Sequence, residues 1–180
     1  IRDPLGSPPR DLTQKLSVQA KVGYGGGDFS ISGNTACFVS DGRLYLQELS
    51  KNSHHPITPA CGQAASPTLS PDGRHIVYVY FRKGEDSLGI TETQGSSLPL
   101  RFAHGSDFYM QPIWHPSGNR IAWVSWNHPN MPWDGSDLFM AEFLPGKTAA
   151  TGNDQILVAG DPNGSISIFQ PAFSPDGRYL

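Results

Sequence analysis

One short motif, built around a proline and a glycine, recurs along the chain and constrains its fold more than any other feature. Three copies occupy residues 66–79, 111–124 and 170–180, and a degenerate fourth copy occupies residues 28–39. In each copy a short extended segment leads into a tight turn, and a segment rich in β-branched and aromatic residues follows. Each copy therefore predicts a β-hairpin.

The predicted turns contain the residues that a tight backbone reversal needs. Pro71 presets φ, and Gly73, two residues later, supplies the positive φ of the reversal. Pro175 and Gly177 repeat this arrangement, and Gly118 provides the glycine of the remaining clear copy. The turn chemistry thus supports a hairpin at each position.

The spacing of the motif predicts the architecture. Pro71 and Pro116 are 45 residues apart, Pro116 and Pro175 are 59 apart, and Gly33 and Gly73 are 40 apart. A period near 40 with four short strands per unit is typical of β-propeller blades, and the longer interval indicates an insertion. A β-sandwich also has short strands at regular intervals, but it does not account for one motif recurring near a fixed period. We therefore predict an all-β fold, a partial β-propeller of about three and a half four-stranded blades.

The whole chain, residues 1–180, is assigned to one fragment of a propeller domain. The predicted blades span approximately residues 24–60, 61–104 and 105–165, residues 166–180 begin the next blade, and residues 1–23 supply a strand of a preceding blade. Further strands are predicted at residues 42–49, 87–92, 97–101, 136–143 and 155–159. Because rings close at roughly four to eight blades, we expect the remaining blades of a ring to cover the exposed strand edges.

The charge and hydropathy of the chain argue against two classes of partner. Lys and Arg number 13 against 16 Asp and Glu, and no basic run typical of nucleic-acid binding is present. The longest apolar stretches are too short to cross a bilayer. We therefore expect neither nucleic acid nor membrane as a partner. The first residues lack a signal-peptide pattern. The sequence stops at Leu180 inside a predicted strand, so we expect a fragment, and the lack of a signal peptide in it says little about the compartment of the parent protein.

The metal-ligating residue types form no recognisable site. No histidine recurs at metal-ligand spacing, and His54 and His55 are adjacent on a predicted connecting loop. Cys37 and Cys61 either pair in an oxidising compartment or serve as small buried hydrophobes, the interpretation that we favour. We expect no metal and no cofactor. The six histidines of the sequence are His54, His55, His75, His104, His115 and His128.

The sequence also lacks the motifs of the common catalytic centres. No Gly-x-Ser-x-Gly nucleophile elbow occurs, and nothing in the spacing singles out a Ser-His-Asp triad, so we assign no catalytic residue. The glycine-rich stretch at residues 23–27 lacks the following Lys-Ser/Thr and helix of a phosphate-binding loop. We interpret its glycines as allowing the backbone to pass close to a neighbouring blade.

Residues 127–134 are the main candidate for a functional surface. This proline-containing stretch lies between the predicted second and third strands of its blade, and it includes Asn127, His128, Trp133 and Asp134. One interpretation is a loop at the channel mouth or at an interface between domains, with Trp133 as an apolar contact. The other is that Asn127 and Asp134 close the loop by hydrogen bonds to backbone.

Two kinds of motif point to known propellers. The Ser-Pro-Asp-Gly-Arg hairpins resemble those of the TolB-like group and of the N-terminal propellers of the prolyl oligopeptidase family. The stretches at residues 23–29 and 123–138 resemble more specifically the bacterial acylaminoacyl-peptidase and dipeptidyl-aminopeptidase members of that family. The resemblance covers the chain from about Gly23 onward.

This resemblance implies a partner domain and an activity for the whole protein. In the family, an N-terminal propeller caps an α/β-hydrolase domain that carries a Ser-Asp-His triad, and it restricts entry to short peptides. We therefore expect a downstream hydrolase domain beyond Leu180, a peptide substrate, a cytoplasmic location and no activity from this chain by itself. The alternative is a non-enzymatic, TolB-like propeller that binds proteins, which would be periplasmic. Fold alone does not decide between them.

Overall fold

The computed structural model describes residues 6, 8–9, 11–13, 15–22, 27–51, 53–95, 98–145, 154–161 and 164–180. Across these residues the chain contains strands and no helix, as the repeat predicts. The strands are β1 (Phe29–Ser32), β2 (Thr35–Ser40), β3 (Arg43–Glu48), β4 (His54–Pro56), β5 (Gln63–Leu69), β6 (His75–Arg82), β7 (Glu85–Glu92), β8 (Leu100–Ala103), β9 (Phe108–Trp114), β10 (Arg120–Trp126), β11 (Asp137–Glu142) and β12 (Ile156–Ala159).

The strands form three separate four-stranded antiparallel sheets, each built from four consecutive strands. Within each sheet the strand order follows the chain, β1 to β4, β5 to β8 and β9 to β12. This up-and-down arrangement, repeated along the chain, is that of propeller blades. The all-β, partial-propeller prediction is therefore confirmed.

Two interfaces between the blades form most of the buried core. Side chains of the first and second blades, including Val39, Leu44 and Ile76, pack into one apolar cluster. Side chains of the second and third blades, including Leu88 and Trp123, pack into another. The strands thus have apolar residues on both faces because each blade is packed between neighbours.

Each clear copy of the motif has a residue with positive φ at the same position, and in β5 and β9 this residue forms a β-bulge. Ser66, Gln111 and Gln170, each of which precedes a proline, have φ of 48°, 50° and 54°. At the first two positions the strand register shifts, since an extra residue interrupts the pairing. The amide of Ser66 is turned toward the neighbouring blade, where it donates to the carbonyl oxygen of Gly27 at 2.9 Å. The bulges therefore help to join adjacent blades.

Gly27 shows the close approach that the glycine-rich stretch predicts, whereas residues 23–26 lie outside the described residues. A Cβ atom on Gly27 would lie 3.3 Å from Cα of Ser66 in the second blade, and φ at Gly27 is +92°. A side chain there would therefore strain both the backbone and the blade interface.

The extra length of the third blade is divided between two of its loops. Ten residues join β10 to β11, where two join β6 to β7. Thirteen residues join β11 to β12, where seven join β7 to β8. The insertion predicted from the spacing is thus present, and its first part is the candidate loop at residues 127–134.

Some local predictions need correction. His54 and His55, expected on a connecting loop, lie in β4, the outermost strand of the first blade, which among the described strands pairs with β3 alone. An edge strand tolerates the proline at position 56. The fourth strand of the second blade is β8, Leu100–Ala103, rather than residues 97–101, because Phe102 and Ala103 are the side chains that become buried. Cys37 is buried, but Cys61 is exposed, and both are free thiols.

At the start of the chain, the described residues of 1–23 form no strand, and Ala20 and Val22 pack against the clusters between the blades. The membership of residues 1–23 in a preceding blade stays a prediction. At the other end, Ser174 N–H donates to the carbonyl oxygen of Tyr179 at 2.9 Å, as Ser70 does to His75 at 2.8 Å, so the last hairpin turn is formed.

His115 replaces the serine that begins the other hairpin turns, and it joins two blades. Nδ1 of His115 accepts the N–H of Ser117 at 3.1 Å, so Nε2 carries the proton and donates to the carbonyl oxygen of Gly177 at 3.0 Å. The imidazole also packs edge-on against Phe173, with ring centroids 4.9 Å apart. The third blade is thereby held to the start of the fourth.

Replacing His115 by serine is expected to weaken the contact between the third blade and the start of the fourth. His115→Ser loses one hydrogen bond and an aromatic contact, so we expect the free energy of unfolding to fall by about 1–2 kcal/mol. Urea unfolding of the variant and the wild-type protein measures this. The control is His55→Ser, at an exposed position of the edge strand β4, which should change stability by less than about 0.5 kcal/mol. Equal effects of the two substitutions would contradict a joining role for His115.

Candidate functional site on the upper face of the third blade

The loops between second and third strands all lie at one end of the sheets, which we call the upper face. Here lie the turn between β2 and β3, the turn between β6 and β7, and residues 127–136 between β10 and β11. The connections that lead into β5 and β9 also lie on the upper face, because consecutive strands alternate in direction. The Pro-Asp-Gly turns occupy the opposite, lower face.

The start of the candidate loop is tied to the connection that enters the third blade. Oδ1 of Asn127 accepts the backbone N–H of Asp107 at 2.7 Å, and Oδ2 of Asp107 accepts the N–H of His128 at 2.9 Å. The His128 ring packs edge-on against Phe108, with centroids 4.9 Å apart, ahead of a cis peptide bond to Pro129. These reciprocal hydrogen bonds fix Asn127 and His128 relative to β9.

The end of the loop is held by its own turn and by the following blade. Oδ2 of Asp134 accepts the N–H of Met131 at 3.1 Å, and the Asp134 N–H donates back to the Met131 carbonyl oxygen at 2.9 Å. The hydroxyl of Ser167 donates to the carbonyl oxygen of Pro132 at 2.8 Å. Asn127 and Asp134 therefore both bind backbone, as one interpretation predicted, although Asn127 binds a neighbouring loop rather than its own.

Trp133 stands at the tip of this fixed loop and is 66% exposed. Met131 beside it is 37% exposed. A large apolar side chain presented on an ordered loop provides contact area that needs little further ordering on binding. The loop thus brings together the four predicted residues, but only Trp133 projects an apolar surface into solvent.

A cleft of about 440 Å³ lies behind the loop, between it and the chain that enters the next blade. Two carboxylates border it, Asp137 at the start of β11 and Asp161 after β12. The pKa of the Asp137 carboxyl is raised, chiefly by burial and to a smaller extent by the nearby Asp161 carboxylate. A hydrogen bond from the Asp161 N–H partly offsets this rise. Within the described ranges, no group of three or more His, Cys, Asp and Glu side chains is arranged to hold a metal ion.

A second cleft, of about 390 Å³, lies on the other side of the connection at residues 104–107 and was not predicted from the sequence. Asp86 borders it and is only 8% exposed, and burial raises the pKa of its carboxyl to about 6. Arg101 and Glu85, also at this cleft, form an ion pair of 3.1 Å. A signal for it existed, because Asp86 lies near the start of a strand in which the next five residues, 87–91, carry no charge.

The site as a whole consists of the fixed loop at residues 127–134 and a cleft on either side of the connection at residues 104–107. Asp107 connects the two clefts, since it borders the second and also hydrogen-bonds the loop that covers the first. The surface offers carboxylates, loop amides and one exposed indole, which suit contact with another protein or with a peptide. The described part of the chain contains no helix able to cross a membrane.

Comparison with solved structures places this fold among peptidase and TolB propellers. The chain is similar to puromycin hydrolase, with a TM-score of 0.76 and 25% identity over 98% of this chain and 30% of that one. It is also similar to a puromycin-hydrolyzing peptidase of Mycobacterium tuberculosis, with a TM-score of 0.65 and 26% identity over 82% of this chain and 26% of that one. A putative TolB from Agrobacterium tumefaciens gives a TM-score of 0.56 at 24% identity, over 79% and 50% of the two chains.

The predicted resemblance to the N-terminal propeller of the prolyl oligopeptidase family and to the TolB-like group is thereby confirmed. No protein-family model and no curated protein matches the sequence. The chain spans about a third or less of the length of the puromycin-hydrolysing enzymes that it resembles.

Proposed function

We propose that this chain is the gating and docking part of the propeller of a prolyl oligopeptidase-family serine peptidase that acts on short peptides. The observation that supports this most strongly is the likeness to puromycin hydrolase over 98% of the chain, which leaves most of that enzyme unmatched. The catalytic serine, aspartate and histidine would belong to a hydrolase domain outside residues 1–180. The proposed location of such an enzyme is the cytoplasm.

In this proposal the upper-face loop contacts either the hydrolase domain or the entering peptide. The four residues Asn127, His128, Trp133 and Asp134 have different roles there. Asn127, His128 and Asp134 hold the loop by the hydrogen bonds of their side chains or backbone, and Trp133 makes the apolar contact. An exposed tryptophan on a fixed loop has the properties of an interface hot spot.

The function is tested by the size selectivity of the protein that carries this chain. A short peptide amide should be hydrolysed, whereas the same sequence placed within an unfolded chain of about 40 residues should be cleaved at least tenfold more slowly, because a propeller gate excludes long chains. Equal rates on both substrates would contradict gating. Absence of hydrolysis of either substrate would contradict the peptidase proposal itself.

Trp133→Ala tests the docking role of the loop. We expect kcat/KM for the short peptide to fall by about tenfold or more, because a central interface tryptophan contributes about 2 kcal/mol or more when it becomes buried. The circular dichroism spectrum should not change, since the side chain is 66% exposed in this chain and its loss leaves the fold of the propeller intact. The matched control is Leu100→Ala on the outermost strand β8, where an apolar side chain is 46% exposed. A loss of activity no larger than that of the control would contradict the docking role.

The alternative function is a non-enzymatic propeller of the TolB kind that binds other proteins. It is supported by the likeness to the Agrobacterium tumefaciens TolB, of which this chain matches half the length. The size-selectivity assay separates the two, since only the peptidase proposal predicts hydrolysis. A periplasmic location of the protein would favour the alternative.

A further inference from the structure

Residues 15–22, which we call the N-terminal strap, alternate between exposed and half-buried positions without a break. Lys15 and Leu16 lie in a turn in which the Leu16 N–H donates to the Thr13 carbonyl oxygen at 2.8 Å. From residue 17 onward, the period of two is that of a chain with one face against a protein surface. The inward row consists of Leu16, Val18, Ala20 and Val22, and the outward row of Lys15, Ser17, Gln19 and Lys21. The strap thus has the burial pattern of a β-strand although it is not assigned to any of the three sheets.

The inward row contacts the cores on both sides of the second blade. Ala20 packs against the cluster between the first and second blades and also against the cluster between the second and third. Val22 packs against the latter cluster. The strap therefore reaches from the first blade to the cluster between the second and third blades rather than lying within one blade.

Two backbone amides of the strap are bound by the first blade. The N–H of Gln19 donates to the carbonyl oxygen of Val39 at 3.0 Å, and the N–H of Ala20 donates to Oδ1 of Asp28 at 2.8 Å. Consecutive amides of an extended chain point to opposite sides, so the two acceptors hold the strap from both sides. Backbone hydrogen bonds combined with contacts from alternate side chains are the way in which proteins bind extended peptides.

The strap lies at the upper end of the first blade. Asp28 immediately precedes β1, Val39 is the penultimate residue of β2, and Lys21 Nζ lies 3.6 Å from the carboxylate of Asp41 in the turn between β2 and β3. All three positions are at the upper end of the first blade. In a closed ring the first strands of the blades surround a central channel, so a strap in this position would lie beside the upper opening of that channel.

We propose that the strap occupies, within its own chain, a binding site for an extended peptide with apolar residues at alternate positions. The site consists of the Val39 carbonyl group, the Asp28 carboxylate and the apolar ends of the two blade interfaces. An incoming peptide displaces the strap and takes its hydrogen bonds, so the strap regulates access to the channel. That such a peptide is a substrate rests on the proposed function, but the binding site itself does not.

The first test loosens the strap and measures its release by hydrogen exchange of the backbone amides of residues 19 and 20, both of which are hydrogen-bonded in the strap. Ala20→Asp with Val22→Asp places two charges on the inward row, and we expect exchange of these amides to become at least about tenfold faster as local opening increases. The matched control, Ser17→Asp with Gln19→Asp, places the same charges on the outward row and should leave the rate within about twofold. Equal acceleration in both pairs would overturn the strap's attachment by its inward row.

Asp28 supplies a second, milder variant. Asp28→Ala removes the acceptor of the Ala20 N–H, so the amide of residue 20 should exchange faster than in the wild type. Asp28→Asn keeps an acceptor oxygen and should restore the wild-type rate. An unchanged exchange rate in Asp28→Ala would show that Asp28 does not hold the strap. A melting curve for every variant separates release of the strap from global unfolding.

The second test supplies the peptide Lys-Leu-Ser-Val-Gln-Ala-Lys-Val, the sequence of residues 15–22, labelled for fluorescence anisotropy. We expect it to bind the Ala20→Asp, Val22→Asp protein at least about tenfold more tightly than the wild type, whose site is occupied. A peptide of the same composition with its apolar residues grouped together should not bind either protein. Failure of the native peptide to bind the released variant would overturn the site, whatever the outcome of the peptidase assays.

Discussion

Replacement of Trp123 by alanine is expected to lower the free energy of unfolding by about 3–5 kcal/mol. Trp123 is fully buried in β10, within the cluster that joins the second and third blades. Its ring stacks on Phe139 at a centroid distance of 6.1 Å and meets Phe102 edge-on at 6.0 Å. The substitution leaves a large cavity between two sheets that cannot close without moving both. Urea unfolding measures the loss.

Two control substitutions separate this cavity effect from the chemistry of the indole. Trp123→Phe should cost less than about 2 kcal/mol, because it keeps most of the volume and removes an indole N–H that has no hydrogen-bond partner among the described residues. Trp133→Ala, at the exposed loop tip, should change stability by less than about 0.5 kcal/mol. If Trp123→Ala and Trp133→Ala destabilise equally, the third blade does not pack as described.

Asp86→Asn is expected to stabilise the protein at neutral pH. Burial raises the pKa of the Asp86 carboxyl from 3.8 to about 6, so the folded protein binds this proton more tightly than the unfolded chain does. The resulting stability is fully present below about pH 4 and is lost as the pH rises through 6. Above pH 6 the cost of the charged form is at most about 3 kcal/mol. Asparagine stays neutral and can still accept the N–H of Tyr109.

The measurement is urea unfolding of wild type and Asp86→Asn at pH 4 and at pH 7.5. The variant should be more stable than wild type by as much as about 3 kcal/mol at pH 7.5 and by nearly nothing at pH 4. Asp72→Asn provides a control of opposite sign, since hydrogen bonds from Ser70 and the Arg74 amide lower the pKa of the Asp72 carboxyl. That variant should be less stable than wild type at neutral pH. A pH-independent effect of Asp86→Asn would contradict the burial of its charge.

The hairpins of the fold were predictable because their residues act locally. Proline and glycine restrict or extend φ irrespective of distant contacts, so Pro71 and Gly73 specify a turn wherever they occur. The repeat then predicts the architecture, because each copy needs a similar neighbour against which to pack. The strand β4 was not predicted, because His54 and His55 have no β-branched side chain that would indicate a strand. The segment is a strand because it pairs with β3.

The candidate site was only partly predictable. The composition of residues 127–134 indicated an ordered loop, and the hydrogen bonds of Asn127 and Asp134 follow from their types. The partner of Asn127, however, is the amide of Asp107, 20 residues earlier, which only the folded blade brings near. The clefts were missed for the same reason, since their walls come from separate loops. The alternation of residues 15–22 was visible, but the pairing partner of an extended segment is not encoded in its own pattern.

The most direct test of the proposed function is reaction of the protein that carries this chain with a fluorophosphonate, which labels activated serines. We predict labelling of a single serine outside residues 1–180, with loss of short-peptide hydrolysis in proportion to the label. Such a result would make this chain the propeller of a serine peptidase. No labelling and no hydrolysis would contradict that account and would leave a binding propeller of the TolB kind.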